Sequence, residues 1–257
     1  LNVSASINSG GNISATVTAT AVVDTIAPGE VGVSIGDGNG FIVAGEISNG
    51  SVAVTIDLAG ADAAPGDTLT VNGTTIVLTA AQIAAGSVVT SVTVPANGQT
   101  LTINATLADP AGNTSDITTV IAVVDTTAPG LPVISIGNGD GFILPGEITG
   151  GNVAVSVSLA GTGAVAGDIL TINGTPTTLT AQDITTGSVT ASILAPGDGG
   201  TLNVSASLTD AAGNSSPIAS VSAVVDTTVP TAPAVTLGNG DAYINATEVI
   251  NGFVTVS

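Results

Sequence analysis

Short runs in which apolar or β-branched residues alternate with polar ones recur along the chain. Their period of two places successive side chains on opposite faces of a strand. Between Pro28 and Asp125 the runs are Val31 to Gly36, VAVTIDLA from Val52, TLTVNG from Thr68, TTIVLT from Thr74, VVTSVTV from Val88, LTINATLAD from Leu101 and ITTVIAVVD from Ile117. Each is bounded by Gly, Asn, Asp or Pro, the residues that end strands and form turns. The pattern predicts about seven strands and almost no helix, apart from a helical turn at TAAQIAAG from Thr79. A core of Val, Ile, Leu and Ala follows, with Phe41, Phe142 and Tyr243 expected as plugs beneath a loop, a ligand-stacking platform being the other reading.

The same pattern returns at a fixed interval. DTIAP begins at Asp24, DTTAP at Asp125 and DTTVP at Asp226; GDGNGFI from Gly36 corresponds to GNGDGFI from Gly137 and GNGDAYI from Gly238. LNVSAS at Leu1 repeats at Leu202. The chain therefore divides into the end of one copy (1–23), two complete copies (24–124 and 125–225) and the beginning of another (226–257). Because it opens inside a strand pattern, it is read as a window of something longer. A period near 100 residues is too long for a solenoid coil or propeller blade and suits a domain with its own core. Seven strands per copy predict an all-β fold of tandem immunoglobulin-like Greek-key sandwiches.

Composition narrows the chemistry. Lys, Arg, His, Cys, Met and Trp are absent, and 19 acidic residues give a net charge of −19. No side-chain ion pair can form, so each carboxylate must be met by water, a backbone N–H, a hydroxyl or a metal ion. Like-charge repulsion in the compact state favours bound cations. Nucleic-acid binding and attachment to anionic membranes depend on Lys and Arg, and no apolar run is long enough for insertion, so neither partner is expected. Without thiols, metal binding falls to oxygen ligands and hard cations, which suits calcium. A catalyst would have only carboxylates, with neither a raised-pKa acid nor an aromatic sugar platform in evidence, so the chain is read as no enzyme.

Two groups of oxygen-bearing residues are candidate calcium ligands. In the first, Asp37 and Asn39 alternate with glycines and Glu46 follows, in the manner of a calcium loop. Its counterparts are Asn138, Asp140 and Glu147, then Asn239, Asp241 and Glu248, the carboxylate and amide exchanging places. Turn formation by Asp-Gly and Asn-Gly is the competing explanation. The second group gathers at the entry of each sandwich, where a Greek-key topology returns the B–C and F–G loops beside the incoming linker. It comprises Asp24, Asp67, Asp109 and Asn113 in one copy and Asp125, Asp168, Asp210 and Asn214 in the next, with Asp226 opening the last. Capping of separate turns is again the alternative. Pro28, Pro129 and Pro230 stiffen the linkers.

The DTTAP opening, the GDGNGFI loop, GDTLTVNG from Gly66 and the DPAGN hairpin from Asp109 resemble bacterial immunoglobulin-like repeats of very large secreted adhesins of the RTX class. The resemblance implies an extender on the bacterial cell surface. In it, calcium and neighbouring repeats of the same chain stiffen a rod that carries a distal binding domain. It implies junction ligands at Asp24, Asp125 and Asp226, and a weaker site where SGGN at Ser9 replaces DxAGN. Two other readings stay open. One is an adhesive module for sugar, ice or another cell, suggested by Thr-rich faces such as Thr16 to Thr18. The other is head-to-tail self-association, 1–23 of one chain pairing with 226–257 of another.

Overall fold

The computed structural model describes residues 1–254 and 256; Thr255 and Ser257, in the expected 226–257 segment, lie outside the described residues. The first segment holds β1 (Asn2–Ala5), β2 (Asn8–Ser9), β3 (Asn12–Ile13) and β4 (Val17–Thr20). A first sandwich follows: β5 (Gly32–Ile35), β6 (Phe41–Ile42), β7 (Ile47–Ser48), β8 (Ser51–Asp57), β9 (Thr68–Val71), β10 (Thr74–Val77), α1 (Ala80–Ala85), β11 (Ser87–Thr93), β12 (Thr100–Ala108) and β13 (Thr118–Val124). The second repeats it: β14 (Val133–Ile136), β15 (Phe142–Ile143), β16 (Ile148–Thr149), β17 (Asn152–Ser158), β18 (Ile169–Ile172), β19 (Thr175–Thr178), α2 (Ala181–Thr186), β20 (Ser188–Leu194), β21 (Thr201–Thr209) and β22 (Ala219–Val225). The chain closes with β23 (Val249–Ile250) and β24 (Phe253–Val254).

In the first sandwich one sheet runs β10-β9-β12-β13-β6 and the other β11-β8-β5, with β7 also on β8; the second sandwich has the same order in its own strands. The fold is all-β, and the seven longer strands coincide with the seven alternating runs. Alternation becomes burial directly: along β8 and β12 every second residue enters the core. Ile42, Val54, Ile56, Leu69, Ile103 and Leu107 are wholly buried, as are Ile143, Val153, Val155, Val157, Leu170 and Leu208 in the second.

Local chemistry fixes the connections. The β9–β10 hairpin turns on Asn72 and Gly73 at φ 46° and 81°, the left-handed pair of a type I′ turn. At α1 the Thr79 N–H donates to Gln82 Oε1 (2.9 Å) while the Gln82 N–H donates to Thr79 Oγ1 (3.3 Å), a reciprocal cap. Gly86 ends that helix at φ 71°.

The rings are not core plugs. Phe142 is 51% exposed and Tyr243 79% exposed, and Phe41 is only half-buried. The reason is that β6 and β15 are real strands, each pairing in parallel with the last strand of its sandwich (Phe41↔Val123, Ile42↔Val124; Phe142↔Val224, Ile143↔Val225). A strand sends neighbours to opposite faces, so Ile42 and Ile143 fill the core and the rings face outward. In the flanking segment, Leu1 and Val3 are exposed where the equivalent Leu202 and Val204 are buried.

This arrangement ranks two adjacent substitutions. Ile143→Ala should cost about 2–5 kcal/mol, as a large core side chain lost to a cavity. Phe142→Ala should stay near the surface range of about 0.5 kcal/mol. Urea unfolding of the two variants checks the order, and a larger loss for Phe142→Ala would return the ring to the core.

Candidate metal centre

The glycine-rich loop between β5 and β6 holds its own oxygens. The N–H groups of Asp37 and Val43 donate to the two oxygens of Glu46, at 2.7 and 3.0 Å. Asp37 Oδ1 accepts the Asn39 N–H (3.0 Å), Asn39 Oδ1 accepts the Phe41 N–H (2.8 Å), and Asn39 Nδ2 donates to Asp37 Oδ2 (3.0 Å). In the next copy the order is reversed with the same result. Asn138 Oδ1 accepts the Asp140 N–H (3.0 Å), Asp140 Oδ1 the Phe142 N–H (2.9 Å), and Asn138 Nδ2 donates to Asp140 Oδ2 (3.0 Å).

Either order thus supplies two oxygens to two backbone N–H groups and one amide to one carboxylate, which is why the residues can exchange places. Glu147 and Glu248 repeat the staple: Glu147 takes the N–H groups of Asn138 and Leu144, Glu248 those of Asn239 and Asn245. The loop around Asn239 and Asp241 is bonded in the same way. Gly36, at φ 57°, lies so close to Glu46 that a Cβ there would overlap its carboxylate. The geometry is that of a stapled turn.

The junction is built differently. Asp24, Asp62, Asp67 and Asp109 line one cleft of about 340 Å³ together with Pro28 and Pro110. Asp67 follows the B–C loop and is 3% exposed; its Oδ2 accepts the Ala64 N–H at 2.8 Å. With no Lys, Arg or His in the chain, this buried charge has no side-chain counterion. Asp109 opens the F–G hairpin, its two oxygens accepting the backbone N–H and the side-chain amide of Asn113 (2.9 and 2.7 Å). The same amide donates to the Asp24 carbonyl at 3.3 Å, tying hairpin to linker. Asp24 Oδ1 accepts the Ile26 N–H (3.1 Å).

In the second copy Asn214 donates to Asp210 Oδ2 (3.0 Å) and to the Asp125 carbonyl (3.1 Å), and Asp168, 2% exposed, accepts the Val165 N–H (2.9 Å). Asp226 accepts the Thr228 N–H through Oδ1 (3.2 Å). Among the described residues, no three carboxylates are placed to hold a metal ion as they stand. The donor chemistry does fit a hard cation: oxygens only, a buried carboxylate without a counterion, and no cationic side chain to compete.

Sequence reasoning passed over two features. Asp62, at φ 52°, joins the first cleft, but its equivalent is Gly163, so a search for repeated positions discards it. Asn97 and Asp198 grip the outgoing linkers. Asn97 Oδ1 accepts the Thr126 N–H (2.6 Å) and Nδ2 donates to Thr127 Oγ1 (3.0 Å). Asp198 accepts from the Thr227 N–H (2.6 Å) and from the hydroxyls of Thr227 and Thr228 (both 2.7 Å). Asp125 is consequently held on both sides, its N–H donating to the Ile42 carbonyl (3.0 Å) and its carbonyl accepting from Asn214.

The bacterial Ig-like domain family matches residues 67–126 and 161–227. The two repeats are bacterial Ig-like domains. No curated protein matches the chain. Among solved structures it is similar to a Ca²⁺-stabilized adhesin that helps an Antarctic bacterium reach out and bind ice, with 30% identity and a TM-score of 0.41 over 96% of this chain and 62% of that one. A 1.5-MDa bacterial ice-binding adhesin gives 22% identity and a TM-score of 0.36 over 88% and 74% of the two chains. Fibronectin(III)-like modules of Clostridium thermocellum CbhA give 11% and 0.46 over 76% and 94%. The chain spans less than two thirds of the first adhesin's length.

Backbone and side-chain donors leave a pH signature. The Asn113 amide holds Asp109 below the usual carboxylate range, and the Phe142 N–H, then the Asn138 amide, does so for Asp140. The Thr227 N–H, then the two threonine hydroxyls, lowers Asp198. A carboxylate depressed in the folded state stabilises it above the unfolded pKa, and that stability is lost as pH falls through the folded value. In chelator, the thermal midpoint should hold from pH 7 to about 5 and fall below about 4, where unfolded carboxylates titrate. Circular dichroism melts across that range test this, and a midpoint that rises on acidification would show that relief of charge repulsion outweighs these bonds.

Proposed function

We propose that the chain is part of the structural spacer of a bacterial surface adhesin. Residues 24–124 and 125–225 act as complete domains, 1–23 and 226–257 as parts of the flanking ones, and calcium at the junctions stiffens the rod outside the cell. The reading rests on one observation above others: the linker residue Asp125 is hydrogen-bonded to the sandwich before it and the sandwich after it. A flexible tether would leave such a residue to solvent.

At the first junction Asp24, Asp62, Asp67 and Asp109 would hold the ion; at the second, Asp125, Asp168 and Asp210. The ion supplies the positive charge that the chain lacks, offsetting repulsion between carboxylates brought to one cleft. The family contributes repeated, independent cores; the composition contributes solubility through net charge. Neither supplies a nucleophile, acid or base poised for reaction, and we read the chain as non-catalytic.

Extracellular calcium modules bind at about 10⁻⁴–10⁻³ M. At calcium a hundredfold above the dissociation constant, each occupied site adds about 2.7 kcal/mol to stability. Thermal unfolding in about 10–100 mM calcium, a hundredfold above that range, should therefore show a midpoint well above that in chelator, and Asp67→Asn with Asp168→Asn should remove most of the rise. Magnesium should not substitute. Equal midpoints in calcium and chelator would leave the junction aspartates as turn-forming residues.

A further inference from the structure

The same edge strand ends a sheet in both sandwiches, but only in the second does it carry a proline. β10 ends its sheet. Across the two-residue turn at Asn72-Gly73, Thr74 faces Val71 and Ile76 faces Leu69 as the hydrogen-bonded pairs. Thr75 and Val77 therefore direct their backbone groups away from β9. In the second sandwich the place of Thr75 is taken by Pro176, on β19, which has no N–H to offer. Proline at an outward edge position is a known block to strand pairing. β10 reads Thr74-Thr75-Ile76-Val77, β-branched throughout, and Val77 is 63% exposed.

Charge points to the same place. In a chain of net charge −19, no Asp or Glu occurs from Thr68 to Ala108, whereas the equivalent stretch of the second copy contains Asp183 and Asp198. A cleft of about 300 Å³ beside β10, lined by Asn72, Ile76, Thr90 and Val92 among others, is likewise uncharged. Two such anionic chains repel, and salt at 0.15 M screens charges beyond about 8 Å, so they can touch where carboxylates are absent from the contact.

We propose that β10 pairs antiparallel with β10 of a second copy of this chain, joining two five-stranded sheets edge to edge. One strand pairing with itself satisfies the isologous geometry of a two-fold dimer. The backbone supplies the bonds, and the uncharged flank permits approach. Rods carrying such an edge would associate side by side through selected repeats and stay apart at those that carry a proline.

Sedimentation equilibrium of the 257-residue chain in chelator and 0.15 M salt tests this, from micromolar to millimolar protein. The wild type should pass from monomer to dimer, and more readily as salt rises. Thr75→Pro copies what the second sandwich already carries, and it should leave a monomer throughout. Val77→Asp, which sets like charges against each other across the pair, should do the same if the proline variant fails to fold. Pro176→Thr should open a second edge and increase association. A wild type that stays monomeric overturns the proposal, as does a dimer that survives both Thr75→Pro and Val77→Asp, since association would then run through other surfaces such as the exposed apolar residues of 1–23 and 226–257.

Discussion

A carboxylate in this chain has no cationic side chain to meet. That single restriction shapes the loops that carry acidic residues. Water takes the charge at exposed positions; elsewhere the backbone must bring N–H groups to it, so acidic residues sit at turns whose amides converge. The Glu46, Glu147 and Glu248 staples, the Asp-Asn pairs in the glycine-rich loops and the Asp109 and Asp210 hairpins all follow this rule. Asp67 and Asp168 are buried with one backbone N–H each as donor, from Ala64 and Val165, and these are the carboxylates for which the proposed cation would supply the missing charge.

The strands were legible because alternation and burial are the same property in a two-sheet sandwich. α1 showed in the sequence only as a turn at TAAQIAAG from Thr79; the reciprocal cap of Thr79 and Gln82 is what makes it a helix. The rings were misplaced because Phe41-Ile42 is too short a run to show which of its two residues faces inward; only its parallel pairing with β13 decides that. At the junction, topology alone brought Asp24, Asp67 and Asp109 to one end, and they line one cleft. Asp62 and Asn97 escaped notice because their counterparts, Gly163 and Asp198, differ in kind. Repetition reveals shared chemistry and hides whatever distinguishes one copy from another.

The first cleft has one carboxylate more than the second junction can draw on, and the linker grip is an amide after the first sandwich and a carboxylate after the second. The two copies share a core yet need not share an ion affinity or a response to acid. On the proposed function, a spacer assembled from such units would be stiffened at its joints, and each joint would be set separately by a few residues in loops that leave the core untouched.

The most direct test of that account is the shape of the two-repeat chain in solution, measured by small-angle X-ray scattering with calcium and with chelator. If the junction aspartates bind the ion that stiffens the linker, calcium should give a longer, less variable particle, and Asp67→Asn with Asp168→Asn should restore the chelator profile while each sandwich stays folded. Identical scattering in calcium and chelator would contradict it, leaving hydrogen bonds to Asp125, Thr126 and Thr127 as the whole of the joint.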